Sequence, residues 1–193
     1  MLSKISIKLF YSLIFAIAIL SNSCMPSREE ALEYYENILR ITHPVNSNSV
    51  EVIALLFVYT EDYLKKDQKT DTIRKEAIRK SNENLLRKTE EGKTKLAGLS
   101  FTSYGSKLKT AAENYLHRME VNHKLIADSI IPQLMKENRK EQKDKILEEY
   151  DYAIKEYREM NLEFIEAKLL FEKDNNLYDF DREEIEKKID ESK

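Results

Sequence analysis

One pair of residues in this chain has the spacing of a metal-binding motif. Glu120 and His123 are three positions apart, so a helix would place both on one face, as in the di-iron four-helix bundles. A di-iron site needs a second Glu-x-x-His and two further inward-facing glutamates. The sequence contains no second copy, and a single copy is expected by chance in a chain so rich in glutamate. The motif therefore predicts no metal cofactor.

Other pairs of chemically capable residues also have ordinary explanations. Glu113 and His117 are four residues apart, which predicts an exposed ion pair on a helix. Glu148 and Glu149 are adjacent, so they diverge on an exposed helix face and read as solvated charges rather than as a hydrolase dyad. The sequence has no His-Glu-x-x-His, Cys-x-x-Cys, Gly-x-Ser-x-Gly or glycine-rich phosphate loop. We therefore predict that the protein is not an enzyme and name no catalytic residue.

The residue for which the sequence predicts a chemical modification is Cys24, the only cysteine. Lys4 and Lys8 come before an apolar run at 9–20, and a small polar segment, 21–23, leads into the cysteine. This order is typical of a bacterial secretory signal whose cleavage leaves a cysteine at the new N-terminus. The run is shorter than the roughly 20 residues that a transmembrane helix needs. We predict a cleaved signal peptide at 1–23 and lipidation of Cys24.

The cleavage box before Cys24 is a relaxed one. Leucine usually stands three residues before the lipidated cysteine, but here that position is Ser21 and Leu20 lies one place earlier. Ordinary secretion, with cleavage near Ser23, is therefore the alternative. An exported chain with a single cysteine can form no intramolecular disulfide, which favours lipidation. The prediction is anchoring in the bacterial outer membrane or at the cell surface, through palmitate or similar acyl chains on Cys24.

Composition favours an all-α protein. The 193 residues include only three glycines and three prolines, whereas glutamate, lysine, leucine, alanine and isoleucine are abundant. Of 32 basic residues, signal cleavage would remove Lys4 and Lys8 and leave 30 against 35 acidic ones. This mixed, mildly acidic balance argues against nucleic-acid binding, which needs a basic stripe. We predict one domain at 24–175, an antiparallel bundle of four to five long helices, and a charged tail at 176–193.

Local signals place the first three helices. Ser27 and Glu30 form a capping box that should begin the first helix. His43-Pro44 and the polar run 46–48 should end it. A second, centrally placed helix should span about 49–66, with apolar residues around much of its circumference. After a turn at 67–72 a third helix should begin, and it should weaken near Gly92.

The remaining elements follow from breakers and heptad spacing. The segment 97–105 reads as a loop whose Phe101 and Tyr104 tuck against the bundle. A fourth helix should start at Ser106 and be kinked or interrupted at Pro132. The last long helix should span about 145–172. In the tail beyond it, Ile185 and Ile189 are the apolar residues of an almost entirely charged segment, 181–193. This pattern favours a short amphipathic helix at most.

Tyrosines fall mostly on the apolar stripes of these helices. The core edge is their predicted place, although tyrosine at a bundle rim also suits binding surfaces. The tyrosines in question are Tyr34, Tyr35, Tyr59, Tyr63, Tyr115, Tyr150 and Tyr157.

The signal, Cys24, the opening helix at 30–35 and the Lys/Glu-rich bundle together resemble the small helical surface lipoproteins of Leptospira and other spirochaetes. That resemblance implies a surface-displayed helical protein, and some members of such groups bind host matrix or complement proteins. It carries over no functional residue other than Cys24. We therefore expect protein–protein interaction at the cell surface. The alternative is a periplasmic helical bundle that binds a metal or a small ligand.

Overall fold

Four long helices make up most of the structure, a computed structural model that describes residues 26–65, 71–100, 105–134 and 143–177. They are α1 (Arg28–Lys65), α2 (Asp71–Ala97), α3 (Ser106–Leu125) and α4 (Lys143–Asp174). Helix α3 continues through a π-helical segment, Ile126–Ile130, into a last α-helical turn, Ile131–Leu134. The described ranges contain no strand. The prediction of an all-α helical bundle is confirmed.

Successive helices pack side by side around one core. Helix α2 lies between α1 and α3, and α3 packs against α4. Large side chains bridge the seam between α1 and α4. The Tyr157 hydroxyl donates to Asn46 Oδ1 at 3.0 Å, and the rings of Tyr35 and Phe171 stack with centroids 6.1 Å apart. Because Asn46 meets residue 157 while Tyr35 meets residue 171, α1 and α4 run antiparallel.

The start and the end of the bundle have well-formed helix caps. Ser27 N–H donates to Glu30 Oε2 at 2.8 Å and Glu30 N–H donates to Ser27 Oγ at 3.2 Å, so the predicted capping box is confirmed. The hydrogen bond from the Ser27 backbone N–H, aided by the Ser27 side chain, lowers the pKa of the Glu30 carboxyl. At the other end Asn176 has a φ of 48°, and Leu177 N–H donates to the Glu172 carbonyl at 3.0 Å. This is a Schellman motif, which ends α4 and turns the chain back.

The predicted break at His43-Pro44 is wrong, because α1 runs through Pro44 without ending. A stripe of buried residues continues in one register across this point. Its members recur every seven residues: Ala31, Ile38, Val45, Val52 and Tyr59. Pro44 is exposed, so water can hydrogen-bond the carbonyl that its ring leaves without a donor. Burial of the stripe outweighs the local signal.

Two further expectations about α1 and α2 are wrong. The predicted second helix is the second half of α1, and it is buried on one face only, since Val50 and Phe57 are half exposed. Helix α2 does not weaken at Gly92 but continues to Ala97. Gly92 is buried, and a Cβ there would lie 3.4 Å from Leu116 Cδ1 and 3.5 Å from Ile41 Cγ2. The glycine is therefore a close packing point between three helices, not a breaker.

The other local predictions have mixed outcomes. Helix α4 spans Lys143–Asp174, close to the predicted range. The helix is not broken at Pro132, which lies inside the last turn, Ile131–Leu134; the regular α-helical hydrogen bonding instead changes just before it, in the π-helical segment Ile126–Ile130. The signal segment, Cys24, Phe101 and Tyr104 lie outside the described residues, as do 66–70 and 178–193.

Candidate functional site

The residue that the sequence linked to metal binding, His123, lies in the core and binds neutral partners. His123 is fully buried, and so are Ser49 of α1 and Asn82 of α2. Ser49 Oγ lies 2.8 Å from His123 Nε2, and Asn82 Oδ1 lies 2.8 Å from His123 Nδ1. Three helices thus meet at one imidazole.

The hydrogen-bond partners determine the tautomer of His123. The backbone carbonyl of His123 can only accept a hydrogen bond, and Asn82 Nδ2 donates to it at 3.0 Å. The amide oxygen of Asn82 must therefore face Nδ1, so Nδ1 carries the proton and Nε2 accepts from the Ser49 hydroxyl. Burial lowers the pKa of His123 to about 3. The ring is neutral at physiological pH and all its hydrogen-bonding capacity is used.

The order Ser49, His123, Asn82 has the connectivity of a nucleophile, a base and an orienting group. Chemistry at Ser49 would need an opening to solvent, and its side chain has none, since serine and imidazole are both 0% exposed. The arrangement therefore cross-links α1, α2 and α3. No sequence pattern singled out Ser49 or Asn82. The signal would have been a polar residue at a core position, because Ser49 lies one turn after Val45 on the buried stripe.

Glu120 does not join His123. It accepts from Lys93 of α2 at 2.7 Å and from Lys124 on its own helix, and these two hydrogen bonds lower its pKa to about 2. Nowhere in the described ranges do three His, Cys, Asp or Glu side chains gather closely enough to hold a metal ion. Glu120 therefore acts as an ion-pair link between α2 and α3.

The other acidic candidates are separated as well. Glu113 and His117 are both exposed, and the ion pairs of the described residues include none between them, so that predicted pair is wrong. Glu148 is exposed, whereas Glu149 accepts from Ser129 at 2.6 Å and from Gln133 at 2.9 Å. Glu149 thereby connects α4 to the π-helical segment. The pair does not converge on a common point.

Tyrosines mark the seam between α1 and α4. Asn46 Oδ1 accepts from both Tyr115 at 3.2 Å and Tyr157 at 3.0 Å, so one amide joins α1, α3 and α4. Burial raises the pKa of Tyr115 well above its usual range and that of Tyr157 to a smaller extent. Asn46 was assigned to a turn from sequence, yet it lies at this junction. Tyr157 lies at the edge of the core, as predicted, whereas Tyr115 is buried within it.

A surface cavity of about 380 Å³ lies at the end of the bundle where α3 begins and α4 ends. Leu108, Ala167 and Phe171 form its apolar wall, and Lys107 and Asp174 stand at its polar rim. The volume is at the low end of small-ligand sites.

Ten large apolar side chains are exposed on the described helices, and seven of them fall into two groups. The first, which we call the distal patch, consists of Val50, Phe57 and Val58 on α1 and Ile73 on α2, exposed by 48–78%. The second, the outer face of α4, consists of Leu162, Ile165 and Leu169, exposed by 40–60%. Exposed apolar groups of this kind are typical of interaction surfaces.

Comparisons with known proteins give no relative. No protein-family model matches this chain, and no curated protein or solved structure matches it either. Within the described ranges, no helix combines the length and the hydropathy of a membrane span. What the described residues define is a class by architecture: an all-α bundle with a closed polar network inside and exposed apolar side chains that include the distal patch and the outer face of α4.

Proposed function

We propose that this protein is an exported, lipid-anchored helical bundle that binds a protein partner through the distal patch. The sequence around Cys24 supports the anchor, and the exposed apolar side chains on α1 support the interaction. The observation that carries the proposal is the exposure of Phe57, an aromatic residue with 54% of its surface in contact with solvent.

The geometry of α1 relates the anchor to the patch. Arg28, the first residue of α1, is four positions after Cys24, so an anchor at Cys24 would lie within about 14 Å of that helix end. Phe57 lies 29 residues further along the helix, which corresponds to about 44 Å. A bundle held at Cys24 would therefore present the distal patch away from the membrane.

The distal patch has the residue types that protein interfaces use. Val50 and Phe57 are seven residues apart, so both lie on the outward side of α1, with Val58 next to them. Lys75 of α2 lies 6.0 Å from the ring centre of Tyr59, which places the start of α2 and Ile73 at the same end of the bundle. Phe57 thus presents an aromatic side chain next to exposed aliphatic ones on the same helix, and large aromatic side chains are common at the energetic centre of an interface.

Photo-crosslinking on intact cells tests the interaction. A benzophenone amino acid at Phe57 should yield one main adduct, and the same probe at Lys80, an exposed residue of α2, should not. The change Val50→Ser in the same chain should weaken the adduct at Phe57 without altering the melting temperature. Equal adducts at both positions, or no adduct at Phe57, would contradict the proposed interaction.

Mass spectrometry tests the anchor separately. The N-terminal peptide of the purified protein should begin at Cys24 and carry acyl chains, and Cys24→Ser should release the protein from the membrane fraction. A chain that stays in the membrane fraction after Cys24→Ser would show that Cys24 is not the anchor.

A further inference from the structure

The second half of α4 is apolar on two opposite sides. Met160, Phe164 and Phe171 face the core, whereas Leu162 and Leu169 face outward. A helix that is apolar on both sides is normally covered on both. In this bundle α3 and the seam to α1 cover one side, which leaves the apolar side chains of the outer face of α4 in contact with solvent.

The position of the outer face relative to Cys24 indicates what covers that face. Arg28 Nη2 donates to the Leu177 carbonyl at 3.1 Å, so the end of α4 lies beside the start of α1. Leu162 is twelve residues before the end of α4, and the whole outer face therefore lies within about 18 Å of that end. This is the end of the bundle that an anchor at Cys24 would hold at the membrane surface.

The charges around the outer face suit a lipid surface. Glu163 accepts from Arg118 of α3 at 2.8 Å, and Glu172 accepts from the Tyr35 hydroxyl of α1, so both acids are bound on the bundle side. Lys173 and Arg158 are exposed on the helix turns that flank the outer face. Long basic side chains in such positions can reach lipid phosphates while the aliphatic groups enter the interface.

Two acidic residues beside the outer face of α4 reduce its electrostatic attraction to a lipid surface. Glu166 is exposed between Ile165 and Leu169, and Glu159 lies 3.8 Å from both Lys155 and Arg118. The attraction of the outer face to lipid is therefore mainly hydrophobic and needs the anchor to bring the two together.

We infer that the outer face of α4 lies against the bilayer that holds Cys24, so that the bundle is attached to the membrane at two points. This inference rests on the proposed anchor and extends it, because it sets how the bundle is oriented. Leu162, Ile165 and Leu169 enter the interface region, so the helices are inclined to the membrane at the anchored end, and the distal patch, at the opposite end of α1, lies at the raised end of the bundle.

Tryptophan fluorescence can test this contact, since the chain contains no tryptophan of its own. The test uses Leu169→Trp, with Phe57→Trp on the distal patch as a matched, exposed control. Each acylated variant, with Cys24 acylation verified by mass spectrometry, is reconstituted into vesicles of phosphatidylcholine and phosphatidylglycerol. Circular dichroism and the melting temperature check that both variants keep the fold.

The expected result is a shift of the Leu169→Trp emission to shorter wavelength and about twofold quenching by bromine in the acyl chains, with neither effect at Phe57→Trp. A solvent-like Leu169→Trp emission on these vesicles would overturn the inference and leave the anchor intact. A blue-shifted, concentration-dependent emission without vesicles would also overturn it, because a second copy of the chain would then cover the face. If mass spectrometry instead found Cys24 without acyl chains, the proposed anchor itself would be contradicted.

Discussion

At the scale of single residues, His123 shows how a polar side chain can be held inside an apolar core. Its two ring nitrogens bind one acceptor, Asn82, and one donor, Ser49, and neither partner is charged. A buried group with all hydrogen bonds made costs little, whereas an unpaired one costs about 1–3 kcal/mol. The network therefore favours the one alignment of α1, α2 and α3 that satisfies all three side chains.

Acid should destabilise the fold through His123. Its pKa is about 3 in the folded state and 6.5 ordinarily, so the unfolded chain binds a proton first as the pH falls. The contribution of His123 is fully present above pH 6.5 and is lost progressively toward pH 3. Between pH 7 and pH 5 the free energy of unfolding should fall by about 2 kcal/mol, measured by urea denaturation.

The control for this pH dependence is His123→Gln. The variant should be less stable at pH 7 but should lose the fall between pH 7 and pH 5. The lowered pKa of Glu120 adds a loss only below about pH 4.5, outside this window. An unchanged fall in His123→Gln would show that another group is responsible.

At the scale of the helices, heptad spacing determines where α1 and α4 lie. On α4 the residues Tyr150, Tyr157, Phe164 and Phe171 recur every seven positions toward the core, as Ile38, Val45 and Val52 do on α1.

Pro44→Ala should stabilise the protein. Proline inside a helix costs about 3 kcal/mol relative to alanine in peptides, and Pro44 makes its turn of α1 without a backbone donor. Part of that gain is offset because proline also restricts the unfolded chain. We expect a rise of about 1–2 kcal/mol in the free energy of unfolding, with Ser47→Ala in the next turn as a near-neutral control. A lower free energy of unfolding for Pro44→Ala would contradict this prediction and would mean that the proline stabilises the folded α1.

Gly92→Ala should be tolerated, and a larger side chain should not. A Cβ at this position meets Leu116 Cδ1 at 3.4 Å, an ordinary contact, and alanine gains up to about 1 kcal/mol of helix propensity. We expect a small rise in melting temperature for Gly92→Ala. Gly92→Val should lower it, because further atoms would force apart Ile41 and Leu116. Equal melting temperatures for the two variants would contradict this packing role.

Features of the fold that depend on residues close together in the chain could be predicted from the sequence, whereas features that depend on how separate helices align could not. The capping box at Ser27 and the heptads of α4 are local patterns, and the structure contains both. Pro44 is a local signal too, but the register of the buried stripe outweighs it. The meeting of Ser49, Asn82 and His123 is beyond local patterns, because it depends on the alignment of three helices. The outer face of α4 could not be distinguished from the sequence, because its leucines and isoleucine are apolar like the neighbouring core residues.

At the scale of the whole molecule, the antiparallel order of the helices gives the bundle two different ends. Tyr34 donates to the Gly105 carbonyl at 3.3 Å, which places the start of α3 beside the start of α1. The end of α4 lies there too, through Arg28 and Leu177. An anchor at Cys24 would therefore hold one end at the membrane and leave the other free.

Thiol labelling should reveal this orientation. Lys95 and Ile73 are both exposed and lie 22 residues apart on α2, which corresponds to about 33 Å. On vesicles, a bulky maleimide should label Lys95→Cys several-fold more slowly than Ile73→Cys, because Lys95 is near the anchored end. The acylated cysteine does not compete for the label. The difference should disappear in detergent, and equal rates on vesicles would contradict the orientation.

The continuity of α1 through Pro44 also has a mechanical consequence. The proposed lipid anchor, Cys24, precedes this helix by a few residues, and the proposed partner site at Phe57 lies near its far end. A pull by a bound partner would therefore load α1 along its own axis, with its backbone hydrogen bonds in series, instead of peeling the helices apart one by one. The turn at Pro44, which lacks one of those bonds, would be the first to stretch, and α1 would act there as a short spring between partner and membrane.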